Sequence, residues 1–181
     1  MKSAFAAIGL GLAALIFQGA LARTIAPPWC PDLAWLVVVG VGLRWPGFLS
    51  GLLVAAPLGF AMDLVSGSLM GQHALMRILS YLAAALASRQ LDLSGGLSVS
   101  IFVFGLSLAY GAGIAATLSF FVGPDVVGFD LVGKTFAHAF VNVIAAGPMI
   151  RLVERILTRF SDDEIARRAP LAIGIRRGSI G

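Results

Sequence analysis

The chain has 181 residues, 59% of them hydrophobic and only 12% charged, where an ordinary soluble domain is about a quarter charged. A bilayer core about 30 Å thick takes about 20 mostly apolar residues per helix, so the chain holds about six spans and leaves no room for a soluble catalytic domain. The net charge of +4 does not point to nucleic acid: seven of the thirteen lysines and arginines lie between Arg151 and the C-terminus, where the positive-inside rule places them.

In chain order, Lys2, the apolar run Ala4 to Phe17 and the small triplet Ala20-Leu21-Ala22 imitate a secretory signal peptide. More apolar helix follows them, which favours an uncleaved first span over 3–22. Further spans are expected at 32–44, 47–65, 72–88, 98–122 and 129–150. They are separated by the breakers Ala26-Pro27-Pro28, Trp45-Pro46-Gly47, Ser66-Gly67-Ser68 and Gly123-Pro124-Asp125. The fold class is an all-α polytopic transmembrane bundle over 1–160, followed by a cytoplasmic tail, 161–181, expected to be disordered.

The second segment is short. Its apolar stretch, Leu33 to Leu43, reaches only about 17 Å as a helix, so a re-entrant or interfacial helix competes with a full span. Charge leaves this open. Six spans with a cytoplasmic N-terminus put Lys2, Arg44, Arg89 and the tail inside and Arg23 outside, whereas five spans exchange Lys2 and Arg23. Both arrangements keep the tail in the cytoplasm. Between Arg151 and Phe160, Leu152, Val153, Ile156, Leu157 and Phe160 recur at helical spacing opposite the arginines. Such a helix can extend the last span and then lie along the headgroups.

The third segment carries a row of small residues, Gly47, Gly51, Ala55 and Gly59, ending at Asp63. Small residues at every fourth position let helices approach closely, either within the protein or against a partner. Pro57 interrupts this helix and removes one backbone donor. Charges inside spans are costly, which singles out Asp63, Arg77 and Lys134. Asp63 and Arg77 are expected to pair across the turn between the third and fourth helices. In the competing arrangement Arg77 reaches a headgroup while Asp63 caps the turn.

The chain has no Walker A loop, no His-Glu-x-x-His, no Gly-x-Ser-x-Gly and no Cys-x-x-Cys. Its two histidines, His73 and His138, fall on different expected helices with no ligand set beside them, and Cys30 is alone, so no metal, cofactor or catalytic residue is expected.

The stretch from Pro31 to Leu82 resembles the MreD family of bacterial rod-shape-determining membrane proteins. The features that carry the likeness are Pro31-Asp32-Leu33, Gly42-Leu43-Arg44 with Gly47 and Gly51, Gly59-Phe60, Asp63-Leu64-Val65-Ser66-Gly67, Leu69, Gly71, Ala74-Leu75 and Tyr81-Leu82. Their order over about fifty residues is the signal; no single piece is specific. The resemblance implies six helices in the inner membrane and a non-enzymatic scaffold or regulator of lateral peptidoglycan synthesis. It also implies partners: an MreC-like single-span protein, the RodA and class B penicillin-binding-protein synthase pair, and the MreB filament indirectly, with membrane lipids around them and homo-oligomers allowed. The family is similar in fold to the substrate-binding subunits of energy-coupling-factor transporters, which keeps a small-molecule-binding transporter subunit as the alternative.

Overall fold

The computed structural model describes residues 2–45, 47–67, 69–93, 95–123 and 128–175; for Phe129 and 161–175 it describes the helical backbone only. Pro46, Ser68, Pro124 and Asp125 of the breaker clusters, and the tail beyond 175, lie outside the described residues. Six helices and no strand occur among those described: α1 Lys2–Leu21, α2 Leu33–Arg44, α3 Phe48–Ser66, α4 Gln72–Gln90, α5 Gly96–Phe121 and α6 Phe129–Ile175. Four of them, α1, α3, α5 and the Asp130–Phe160 part of α6, are long and apolar enough to cross a membrane.

The helix judged weakest from sequence is the centre of the bundle. Ten of the twelve residues of α2, Ala34 through Leu43, are buried. One side packs with Ala14 and Leu15 of α1, Val54 and Leu58 of α3, and Val153 and Leu157 of α6. The other side, Trp35, Leu36 and Val39, packs with Ala84 of α4, Val99 and Val103 of α5, and Ala146 and Ile150 of α6. A helix lying on a membrane surface must keep one face in the headgroups; burial of α2 on both sides argues against that placement, although its twelve residues are fewer than in the helices long enough to cross by themselves. Asp32 meets Asn142 at one end, and a Cβ on Gly40 would meet Val153 toward the other. Thus α2 passes through the bundle parallel to α6.

Helix α3 is gripped between α1 and α4, and its small residues explain how. A Cβ on Gly51 would enter the Tyr81 ring, and one on Gly59 would strike the Ala74 backbone. Ala55 is fully buried. Gly51 and Gly59 are therefore used inside the protein, against α4, and Ala55 lies in the core, whereas Gly47 is the N-cap of α3. The helix continues through Pro57.

Helix α6 departs from expectation at its far end. It continues as one helix through Phe160 to Ile175, so the first part of the segment expected to be disordered is helical. Val153 and Leu157 are buried in the core instead of facing headgroups. Of the apolar stripe, Val153 and Leu157 pack with α1 and α2, while Leu152 is exposed.

Candidate functional site

The bundle is polarised. Asp32, Asp63, Gln72, His73, Arg77, Tyr110, His138 and Asn142 gather toward one end, where α1 and α3 finish and α2 and α4 begin. Arg44, Arg89 and Arg151 mark the other end.

The centre of the polar end is a buried ion pair. Asp32 immediately precedes the apolar run of α2 and is its N-cap: the Trp35 backbone N–H donates to Asp32 Oδ1 at 2.9 Å. That fixes one carboxylate at the start of a largely buried helix, and Arg77, on the inner face of α4, reaches it. Arg77 Nη2 donates to Asp32 Oδ1 at 2.9 Å and Oδ2 at 3.1 Å, and Nη1 donates to the Leu58 carbonyl of α3 at 3.1 Å. The Arg77 side chain has no exposed surface, and the Asp32 side chain retains 10%. A charge left alone at such a depth is costly, and pairing with two hydrogen bonds offsets that cost.

The network extends from this pair. The Asp32 backbone N–H donates to Asn142 Oδ1 of α6 at 2.9 Å, and Asn142 Nδ2 donates to Ser107 Oγ of α5 at 3.0 Å. The Trp35 indole donates to Ser80 Oγ at 3.0 Å, and Ser80 donates to the Met76 carbonyl. Gln72 Nε2 donates to the Ile114 carbonyl and Thr117 Oγ1 of α5, and His73 Nδ1 shares a 2.7 Å hydrogen bond with the Tyr110 hydroxyl. Five helices, α2 to α6, are thus tied by side chains where lipid would provide no hydrophobic drive for association.

The pair expected from sequence, Asp63 with Arg77, is not formed. Asp63 instead receives the backbone N–H groups of Gly71 at 3.0 Å, His73 at 2.7 Å and Ala74 at 3.2 Å. Its carboxylate caps the N-terminus of α4 from the neighbouring helix, where the helix dipole also favours negative charge. The turn brings Asp63 under the start of α4 while Arg77, more than a helical turn further on, points to the bundle axis. Of the competing arrangement, the Asp63 cap is formed and the Arg77 reach to a headgroup is not, since the guanidinium is sealed. Lys134 pairs on its own helix with Asp130, and both are exposed.

The signal for Asp32 was in the sequence: an aspartate directly before an apolar run is an N-cap, and a capping carboxylate on a buried helix is a natural partner for a buried arginine. The signal for Asn142 and Ser107 was absent, because single polar residues in long apolar runs do not announce their facing.

Below the segment joining α1 to α2 lies a cavity of about 340 Å³, bordered by Gln18, Cys30, Asp32, His73, Tyr110 and His138. Burial pushes the Cys30 thiol pKa up, and the nearby Asp32 charge adds to the effect. Among the described residues no three of histidine, cysteine, aspartate and glutamate form a group able to hold a metal ion. No protein-family model, no curated protein and no solved structure matches this chain.

Proposed function

We propose that this protein is a non-enzymatic scaffold or regulator of bacterial lateral wall synthesis, a six-span inner-membrane protein of the MreD type with both termini in the cytoplasm. The observation that supports this reading is where the resembling residues fall. Asp32, Gly51, Gly59, Asp63, Gly71 and Tyr81 all lie at contacts among α2, α3 and α4: the ion pair to Arg77, the two close helix approaches, the α4 cap and its left-handed N-cap glycine. The likeness therefore follows the contacts that join three helices, which supports a scaffold reading. Arg77, the charge at the centre of those contacts, is fully buried against Asp32. Co-purification tests this: an MreC-like single-span protein and the RodA synthase pair are expected to be retained at stable ratio on the tagged protein, and a clean preparation lacking both would refute it.

The cavity bordered by His73, Tyr110 and His138 favours a second reading, the small-molecule-binding subunit of an energy-coupling-factor type transporter. A concave space with a few convergent polar groups is what a small ligand needs. A compound retained through purification, released on denaturation, would decide for this alternative.

A further inference from the structure

At the end of the bundle opposite the ion pair, two cations share one cleft. Arg44, the last residue of α2, and Arg89, in the last turn of α4, line a space of about 290 Å³ together with Trp45, Phe48, Tyr81 and Ser88. The cleft opens at the N-terminus of α3, whose N-cap is Gly47 with no side-chain cap, and the Trp45 indole nitrogen lies beside Gly47. Arg44 has one carboxylate near it, Glu154 at a long 3.9 Å, and Arg89 has no ion pair among the described residues. Among the described residues, the lining of the cleft thus carries two cations and no carboxylate.

The same cleft continues into an apolar groove of about 230 Å³. Phe48, Ala85 and Arg89 belong to both, and Leu82 and Leu86 complete the groove along the outer face of α4. Leu86 and Phe48 are exposed there. Cationic donors joined to an apolar channel match a molecule with an anionic head and a hydrocarbon tail. A free anion would use the first part only, and a neutral lipid the second only.

We propose that this cleft and groove bind one anionic phospholipid, its phosphate between Arg44 and Arg89 and an acyl chain along Leu82 and Leu86. Arginine side chains at a helix end and an uncapped helix N-terminus together favour phosphate. The proposal needs only that the bundle sits in a bilayer; it is independent of the role in wall synthesis.

The test is native mass spectrometry of the full chain in detergent, titrated with phosphatidylglycerol, with phosphatidylcholine and with inorganic phosphate. One phosphatidylglycerol per chain is expected at concentrations where phosphatidylcholine is not retained. Arg44→Gln with Arg89→Gln should weaken its retention roughly tenfold or more, and Arg23→Gln at the opposite end should leave it unchanged. Should the double variant fail to elute as a monodisperse species, Arg89→Gln alone, at an exposed helix end, serves with an expected loss of several-fold. Leu86→Trp, which fills the groove, should weaken the lipid as well. Equal retention of phosphatidylcholine, full displacement by inorganic phosphate, or unchanged lipid binding by the arginine variants would each overturn the proposal.

Discussion

Replacing Arg77 by methionine keeps much of its length and removes its charge, which makes it a sharp probe of the buried pair. In the native bundle Asp32 receives two hydrogen bonds from Arg77 and one from the Trp35 N–H. The variant leaves that carboxylate with the cap alone and no counter-charge. Removing one partner of a buried pair costs about 3–5 kcal/mol, and at roughly 2–4 °C per kcal/mol for a chain of this size the unfolding midpoint should fall by about 10 °C. Asp32→Asn should cost a similar amount, because it strands the guanidinium while the asparagine oxygen still caps α2. Combining the two removes both charges, so the double variant should recover about 2–3 kcal/mol relative to the sum of the singles. Midpoints from fluorescence-detected size exclusion after heating provide the readout. Simple addition of the two single losses would show that the residues do not act as a pair.

The remaining expectations follow from individual contacts. Asp63→Ala strands the N–H groups of Gly71, His73 and Ala74 and should cost about 1–3 kcal/mol, seen as a lower midpoint; Asp63→Arg with Arg77→Asp should show no mutual rescue, since these residues do not pair. Gly59→Leu must push on the Ala74 backbone and should lose about 1–3 kcal/mol or more, while Gly9→Leu, with nothing within 4 Å of its added Cβ, should leave the elution profile unchanged. Cys30, buried and with its thiol pKa raised, should react with a maleimide more slowly than a cysteine introduced at exposed Arg23; equal rates would contradict its burial.

Hydropathy and breakers were enough to locate the helices, because the lengths of apolar runs are local properties of the chain. The boundaries at Leu21, Arg44, Ser66 and Gln90 lie within two residues of the expected ones. What hydropathy could not express is which faces are covered by protein and which by lipid, since both surroundings select the same residues. Helix α2 was therefore doubted for its length, although burial on all sides frees it from the need to match a bilayer by itself. The same ambiguity hid the docking of Val153 and Leu157 and left the Gly51, Ala55 and Gly59 row open between internal and external use. The Asp63–Arg77 expectation went wrong for a different reason. It counts depth along two helices and neglects the direction of each side chain about its axis, so the Asp63 cap stands only as the competing arrangement and the more central Asp32 is missed.

The most direct test of the functional account is depletion of this protein in its native host, with complementation by the wild type and by Asp32→Asn. If it organises lateral wall synthesis, depletion should turn rods into spheres. The wild type should restore rods and Asp32→Asn should restore them poorly, in step with its lower midpoint. Cells that stay rod-shaped after full depletion would contradict the account.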